Sequence, residues 1–317
     1  MATRIIYVGA PEADALTFEA RARRDFPGIA LFATNDRTEA LRHLADAEAI
    51  IAHHFQFDEA MLTAAPHLRW IQSLTTGTDA ILKLRALRAQ VTVTSTRGMH
   101  GPQMSELVFL QMLALCRDFP QMLGNQAVHL WKRWPQPLLW GKTIVIVGVG
   151  AIAEALAPRC KAFGMTVYGV SGTPRVTTGF DRIFARSELP QSAALADFLV
   201  LIVPHSPQTE NLVDASVLSA MKPTAFLINV ARGGVLDEGA LMRALHDKRL
   251  AGAALDVFRE QPLPPDHPLW REERVIITPL IGGMSDVYLD QAYPIVRLNL
   301  ERFLAGEIER MSNIVPH

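Results

Sequence analysis

Short apolar runs alternate with amphipathic stretches along the first hundred residues of the chain. Continuous apolar runs indicate strands buried on both faces, and apolar residues at helical spacing indicate covering helices. The pattern therefore predicts a parallel sheet with helices on both sides. The predicted strands are Ile5–Val8, Ile29–Phe32, Ala49–Ala52, Trp70–Leu74 and Val91–Val93. The predicted helices lie near Asp14–Arg24, Thr38–Leu44, Asp58–Ala65 and Asp79–Arg88.

A second alternation of the same kind begins at Lys142 and continues to about Gly283. Asp214 and Asp237 each precede a helical pattern and are predicted N-caps. Long helices are predicted over 102–123 and 284–306. The two alternating halves predict an α/β protein with two doubly wound domains. The strands predicted in the second half are Thr143–Val147, Thr166–Val170, Phe198–Val203, Ala225–Asn229, Gly252–Leu255 and Val275–Thr278.

Composition narrows the functional classes. A chain of 317 residues exceeds the size of a single growing core, which agrees with two domains. A net charge of -1 gives no electrostatic reason to expect nucleic acid or an anionic membrane as partner. Two isolated cysteines, Cys116 and Cys160, form no metal or redox motif, and no metal is expected. The N-terminus reads directly into a strand without a secretory leader, so a cytoplasmic protein is expected.

The most specific local motif follows the strand predicted at 143–147. Gly148-x-Gly150-x-x-Ala153 stands between this strand and a helix. Gly148 permits a tight turn, and Gly150 lets the backbone approach a pyrophosphate at the helix N-terminus. Ala153 allows close packing of helix on strand. The motif predicts a dinucleotide-binding site.

The end of the next strand bears on the choice of cofactor. NAD-selective sites usually place a carboxylate about 20 residues past the first glycine, where it binds the ribose 2′-hydroxyl. This chain has Ser171 there, followed by Thr173 and Arg175. These side chains can bind a 2′-phosphate, which a carboxylate would repel. NADP(H) is favoured, and NAD(H) stays open.

Three further blocks carry a family resemblance. They are Val203–Glu210, Met221–Glu238 with its highly specific segment Asn229-Val-Ala-Arg-Gly-Gly234, and Ala253–Phe258 with its continuation Pro262–Trp270. With the glycine motif, they resemble the D-isomer-specific 2-hydroxyacid dehydrogenase family over essentially the whole chain. The resemblance implies a substrate domain of residues 1–100 plus 284–317 and a Rossmann domain of 101–283, with a cleft between them. It also implies a small 2-oxo acid substrate and a homodimer formed through the coenzyme domains and the helix near 102–123.

The resemblance assigns roles to individual residues. Arg232 matches the arginine that grips the 2-oxo acid, and a guanidinium can bind a carboxylate bidentately. Thr76 and Gly77 match the loop whose N–H groups hold the substrate carboxylate, although this segment also reads as a helix start. Asp256 matches an aspartate near the nicotinamide amide. The cofactor-binding positions are Gly148, Gly150, Ala151, Ile152, Ser171, Thr173, Arg175, Val203, Pro204, His205, Thr209, Val230, Ala231, Asp256 and Gly282.

The chain departs from the family pattern at its acid–base pair. The family's general acid is the histidine of a Thr-Pro-His block, and this chain has Leu280 in Thr278-Pro-Leu-Ile-Gly-Gly283. The supporting glutamate is replaced by Gln261. Leucine cannot transfer a proton, and without a histidine a buried carboxylate would lack a partner. Candidate substitute donors are His54, His100 and Tyr288.

Two functions remain open from the sequence. The first is a reductase that transfers hydride between NAD(P)H and a 2-oxo acid, with a relocated or water-derived proton. The second is a catalytically weak or inactive NAD(P)H-binding protein in which cofactor occupancy acts as a signal. General acid–base help is worth about 10²–10⁴-fold, so losing the pair weakens catalysis without removing hydride-transfer geometry.

Overall fold

The computed structural model describes residues 3–317, which divide into two compact units. The first unit runs up to Met99 and resumes with Met284–His317, and the second unit is His100–Gly283. The first unit opens with nine elements: β1 (Arg4–Val8), α1 (Ala15–Asp25), β2 (Ala30–Thr34), α2 (Arg37–Leu41), β3 (Ala49–Ala52), α3 (Glu59–Thr63), β4 (Trp70–Ser73), α4 (Asp79–Leu82) and β5 (Thr92–Thr94).

The second unit begins with two helices, which are followed by a series of strands and helices. Its elements are α5 (Gly101–Cys116), α6 (Phe119–Ala127), β6 (Thr143–Val147), α7 (Ala151–Ala162), β7 (Thr166–Ser171), β8 (Arg182–Ala185), α8 (Leu189–Ala193), β9 (Phe198–Leu201), α9 (Ala215–Ala220), β10 (Phe226–Asn229), α10 (Glu238–His246), β11 (Gly252–Leu255) and β12 (Val275–Ile277). The chain then returns to the first unit as α11 (Tyr288–Leu304).

Each unit is built on one parallel sheet. The first sheet has the strand order β2-β1-β3-β4-β5, and the second has β12-β11-β10-β9-β6-β7-β8. In both sheets the first strand lies inside the sheet, with the next strand on one side and a later strand on the other. Ligands of such sheets bind where the strand order reverses, beyond the carboxyl ends of the strands. The predicted pair of doubly wound parallel sheets is confirmed.

The strands are apolar on both faces because both faces are covered. In β6, Ile144 and Ile146 face one hydrophobic cluster while Val145 and Val147 face the other. Strand β1 alternates in the same way, with Ile5 and Tyr7 on one side and Ile6 and Val8 on the other. This two-sided burial is the reason that the strands read as continuous apolar runs instead of alternating ones.

Local capping fixes where several helices begin. Asp214 accepts hydrogen bonds from the N–H groups of Ser216 and Val217, and Asp237 accepts one from Ala240. Both predicted N-caps are thus confirmed.

Three elements differ from the sequence-based expectation. Strand β8 was not predicted, because Arg182-Ile-Phe-Ala185 is short and begins with a charge at the edge of the sheet. The predicted helix 102–123 is wrong as one helix: it breaks after Cys116 and restarts at Phe119, with Asp118 in the left-handed region at φ 53°. Helix α4 covers only one turn, 79–82.

Candidate functional site

The turn after β6 is shaped by its glycines. Gly148 has φ 105°. A Cβ at this position would lie 2.9 Å from the backbone of Val203, which follows the neighbouring strand β9. Only glycine fits such a conformation and such a close approach. Gly150 is the N-cap of α7, so the first N–H groups of this helix point toward the turn. The turn has the form of an anion-binding site.

A cavity of about 250 Å³ lies beside this turn. Ser171 and Gly172 at the end of β7 and Arg186 beyond β8 line one part of it. The Arg186 guanidinium packs over Gly172, since a Cβ on that glycine would lie 3.0 Å from Nη2. Among residues 3–317, the cavity lining contains no aspartate or glutamate. The other lining residues are Val147, Gly148, Val149, Gly150, Val170, Ile202, Val203, Pro204, Ser206, Thr209 and Leu212.

Sequence reasoning singled out Arg175 and missed Arg186. Arg175 forms an ion pair with Glu154 of α7 at 2.7 Å and does not line the cavity. Thr173 also lies outside the lining and instead closes a turn with Ser171. Arg186 lies far from the glycine motif in sequence and reaches the cavity because β8 pairs with β7. A strand prediction over Arg182–Ala185 would have placed Arg186 at the end of the sheet, next to the cavity.

Other predicted cofactor positions lie in the second unit but outside this cavity. His205 forms a hydrogen bond through Nε2 with the Glu210 carboxylate. Burial of Glu210 is slight, and its bonds to His205 and Arg259 lower the pKa of the carboxyl. The positions outside the lining are Ala151, Ile152, Thr173, Arg175, His205, Val230, Ala231, Asp256 and Gly282.

Arg232 follows β10 in a tightly fixed turn. The buried Asn229 amide accepts a hydrogen bond from the N–H of Ala231 at 3.1 Å and donates to the Arg232 carbonyl at 3.1 Å. Gly233 has no room for a Cβ, because the Phe258 backbone lies against it. The Arg232 side chain is half-buried, and Nη1 donates to the Ala231 carbonyl at 2.7 Å. The backbone at Arg232 is therefore held firmly.

Asp256 organises the loop from Thr278 to Gly283. Its carboxylate accepts hydrogen bonds from the Thr278 hydroxyl at 2.5 Å and from the N–H groups of Ile281 and Gly282 at 3.1 and 3.0 Å. Burial raises the pKa of Asp256, and these three hydrogen bonds oppose that shift. The predicted contact of Asp256 with a nicotinamide amide stays a prediction, while its contacts with the loop are direct.

Leu280 and Gln261, which the resemblance places at the positions of the family's acid–base pair, are both open to solvent. Leu280 is 50% exposed and has φ 56°, a left-handed conformation that leucine rarely adopts. Its N–H donates to the carbonyls of Asp256 and Thr278 at 3.0 and 3.1 Å, which holds that conformation. Gln261 is exposed. Neither side chain can take up or release a proton.

His100 is the histidine of the second unit that lies next to Arg232 and Gly283. It is only 6% exposed, and a Cβ on Gly283 would lie 3.4 Å from its ring. Burial lowers the pKa of His100 to about 4, and the nearby positive charge of Arg232 acts in the same direction. His100 is therefore neutral at neutral pH.

The first unit places polar groups at the carboxyl ends of β3 and β4. His54 Nδ1 lies 2.9 Å from the Thr75 hydroxyl, which donates to the carbonyl of Gly77 at 3.0 Å. Thr76 is exposed and Gly77 is half-buried, so the predicted substrate loop lies on the surface of this unit. Parallel strands end at one edge of the sheet, and this explains the meeting of His54 with the loop.

Tyr288 and His53 lie deeper in the same unit. The Tyr288 hydroxyl donates to the Leu74 carbonyl, and burial raises the pKa of Tyr288. A phenol that holds its proton this firmly is a poor acid. His53 is 2% exposed, and its Nε2 lies 3.2 Å from the Glu12 carboxylate. Glu12 was not singled out from the sequence, because it stands alone in a loop.

Residues 3–317 contain neither a metal-binding cluster nor a helix that could span a membrane. No group of three or more His, Cys, Asp or Glu side chains is arranged to hold a metal ion. No helix there combines the length and apolar character that crossing a membrane would require.

Comparison with known proteins places this site in a family context. The profile described as D-isomer specific 2-hydroxyacid dehydrogenase, NAD binding domain, matches residues 109–282. The glyoxylate reductase of Korarchaeum cryptofilum is 32% identical over 259 residues, which cover 79% of this chain and 77% of that protein. The D-3-phosphoglycerate dehydrogenase of Methanocaldococcus jannaschii is 30% identical over 276 residues. This chain spans only 52% of that longer protein.

Solved structures agree with the sequence relatives. A D-isomer specific 2-hydroxyacid dehydrogenase family protein from Aeromonas salmonicida is 33% identical, with a TM-score of 0.90 and coverage of 99% of both chains. The NADPH-dependent glyoxylate/hydroxypyruvate reductase of Sinorhizobium meliloti, solved with NADP and sulfate, is 26% identical, with a TM-score of 0.84. Coverage there is 99% of this chain and 98% of that one.

Proposed function

Because the chain belongs to the D-isomer specific 2-hydroxyacid dehydrogenase family, we propose that it is an NADP(H)-dependent reductase of small 2-oxo acids with altered proton-donor chemistry. The family consists of NAD(P)-dependent oxidoreductases that act on CH–OH donors. One observation carries the proposal. The glycine turn after β6 and the Arg232 turn after β10 lie at the same edge of one parallel sheet, with only β9 between the two strands.

The residues of the turn fit a dinucleotide. Gly148 and Gly150 leave space and N–H groups for a pyrophosphate, and the adjoining cavity has the concave form of a nucleotide site. When bound, the nicotinamide supplies hydride to the substrate or accepts it. The protein's part is to hold the cofactor and the substrate carboxylate in a fixed geometry.

We assign the selection of NADP(H) to Arg186 together with Ser171. Both line the cavity at the end of β7, where the ribose of a dinucleotide lies, and no carboxylate lines it. Arg175 already pairs with Glu154, so it is the weaker candidate. A hydrogen bond between charged groups contributes about 1.5–3 kcal/mol, so Arg186→Ala should weaken NADPH binding about 10–100-fold.

The test of this assignment is equilibrium titration of NADPH and NADH by fluorescence. Arg175→Ala is the matched control, since it removes a guanidinium from the same region. We expect Arg186→Ala to leave the affinity for NADH unchanged. Arg175→Ala should leave the affinities for NADPH and for NADH unchanged. Equal loss for NADPH and NADH in Arg186→Ala, or a selective loss in Arg175→Ala, would refute the assignment.

Arg232 is the proposed substrate anchor. Its guanidinium can form paired hydrogen bonds with a 2-oxo acid carboxylate, and the Asn229 clamp keeps its backbone in place. The exposed loop at Thr76 and Gly77 of the first unit is proposed, as the family pattern implies, to bind a substrate carboxylate through backbone N–H groups. Arg232→Lys should raise KM strongly, because an ammonium cannot reproduce the planar fork.

A second function competes, a protein that binds NADP(H) without turnover. Its support is the absence of a titratable side chain at both Leu280 and Gln261, together with a neutral His100. Cofactor binding would then act through the conformation of the protein. Of the proposed substitute donors, His54 is the one that lies beside the Thr76–Gly77 loop.

The deciding experiment is NADPH oxidation with glyoxylate and with hydroxypyruvate. The natural protein is compared with the double variant Leu280→His/Gln261→Glu. Turnover by the natural protein near the variant's rate supports a relocated donor and directs attention to His54. Turnover by the variant alone, with none by the natural protein even when an amine is added, supports the cofactor-binding function. If neither reduces a 2-oxo acid, with or without added amine, the proposed reductase is wrong.

We also propose a homodimer formed through the second unit. Helix α6 has no buried residue, and Leu123 is 51% exposed. The segment that follows exposes Trp131 at 91%, where it lines a groove of about 470 Å³, and it also exposes Trp140 at 74%. An apolar surface of this kind favours association. Leu123→Glu/Trp131→Glu should shift the mass measured by light scattering from dimer to monomer.

A further inference from the structure

We infer that the bond reduced by this protein is the C=N bond of an imino acid, formed from a 2-oxo acid and ammonia or a primary amine. The inference rests on the proposed function for Arg232 and the cofactor cavity, and it changes only the group that accepts hydride. The amine is the one additional reactant, and it enters by forming the imine with loss of water.

The loop from Thr278 to Gly283, which carries the general acid for carbonyl reduction in the family pattern, has no acidic side chain in this protein. Hydride transfer to a C=O carbon leaves negative charge on oxygen, which a general acid must neutralise. The segment from Thr278 to Gly283 contains no ionisable side chain, and Thr278 donates its hydroxyl hydrogen to Asp256. Leu280 directs an apolar side chain outward from this loop.

The neighbouring polar groups do not replace the missing acid. Burial and the nearby charge of Arg232 lower the pKa of His100 to about 4, so its ring is neutral at pH 7. Asp256 is occupied in accepting three hydrogen bonds. The second unit thus offers a carboxylate anchor without an acid beside it.

An iminium substrate needs no such acid. Hydride adds to the imine carbon, the C=N π pair becomes the lone pair of the amine nitrogen, and the cofactor is oxidised by two electrons. The products are the 2-amino acid and the oxidised cofactor. The nitrogen already carries the protons that it retains, and the free amine takes up another from water afterwards.

Charge also favours a cationic acceptor at this site. A protonated histidine at position 280 would oppose an iminium, since like charges at short range repel. Leu280 and the neutral His100 add no positive charge beside Arg232. The substrate carboxylate offsets the charge of Arg232. The same substitutions that disable carbonyl reduction therefore suit imine reduction.

The test supplies pyruvate and NADPH deuterated at C4, with methylamine or with trimethylamine in matched excess. Trimethylamine carries the same charge but cannot form an imine. We expect NADPH oxidation at least about 10²-fold faster with methylamine, the factor that a missing general acid costs a carbonyl. Mass spectrometry should find N-methylalanine carrying one deuterium at its second carbon.

Two variants distinguish the effect of a proton donor at position 280 from the effect of a changed side-chain shape there. Leu280→His/Gln261→Glu should raise amine-independent reduction of pyruvate by about 10²–10⁴-fold and lower imine reduction. Leu280→Asn is the control, because asparagine tolerates the left-handed backbone and donates no proton in catalysis. A readout without turnover is calorimetric binding of N-methyl-D-alanine and of D-lactate in the presence of NADP⁺. The amino acid should bind more tightly to the natural protein, and the histidine variant should reverse that order.

The outcomes are distinguishable. Lactate formed at the same rate with either amine would overturn the imine inference and leave the proposed reductase standing. No product under any condition, together with NADPH binding, would overturn both the inference and the reductase. Amine-dependent turnover that yields deuterated N-methylalanine would support both.

Discussion

Replacing His100 with glutamine should make the protein more resistant to acid. In the unfolded chain this histidine takes up a proton near pH 6.5, whereas in the folded protein it does so only near pH 4. Above pH 6.5 neither state holds the additional proton, so His100 makes no contribution to the pH dependence of the free energy of unfolding. Between these values the unfolded state binds more protons, so the free energy of unfolding falls as the pH is lowered.

The size of the effect follows from the two pKa values. At pH 5 the unfolded histidine is almost fully protonated and the folded one is still mostly neutral. The difference of 1.5 pH units from 6.5 corresponds to about 2 kcal/mol at about 1.4 kcal/mol per unit. The full interval down to about pH 4 corresponds to about 3 kcal/mol. His100→Gln keeps a polar side chain but removes this loss.

The assay is urea unfolding of both proteins at a series of pH values between neutral and about pH 4.5. Only the difference between the two proteins is used, since the other titrating groups are common to both. His246→Gln, at a side chain that is 89% exposed, controls for removing a histidine as such. If the natural protein and His100→Gln lose stability in parallel from pH 7 to pH 5, His100 is protonated in the folded state and the reasoning is refuted.

Three further predictions concern the fixed turns of the second unit. Gly148→Ala forces a Cβ against the Val203 backbone at φ 105°, so NADPH affinity measured by fluorescence should fall more than about tenfold, with a loss of about 1–3 kcal/mol in stability; unchanged affinity would contradict the steric argument. Thr278→Val removes a donor to the buried Asp256 carboxylate and should cost about 1–3 kcal/mol in urea unfolding, while Thr278→Ser should retain most of it. Leu280→Asn should raise the thermal midpoint by an amount equivalent to up to about 1 kcal/mol, because asparagine accepts φ 56° more readily than leucine, and a lower midpoint would count against strain at this residue.

The repeating strands and the cofactor turn could be predicted from the sequence because their causes are local. A strand segment buried on both faces is apolar along its buried length, as β1 is over Ile5–Val8 and β6 over Ile144–Val147. A turn with φ 105° beside another backbone segment requires glycine, and the sequence shows this requirement directly as Gly148. The absence of an acid at Leu280 is equally visible, since no fold can make leucine ionisable.

The arrangement of charges around the site was decided by the tertiary structure. Arg186 reaches the cavity only because the short strand β8, which no local pattern marks as a strand, pairs with β7. Arg175, closer in sequence, pairs with Glu154 instead. The neutrality of His100 comes from burial beside Arg232, two residues more than a hundred positions apart. Residue identity fixed which groups could react, and long-range packing fixed their charge and their neighbours, because burial and proximity are properties that no short stretch of sequence contains.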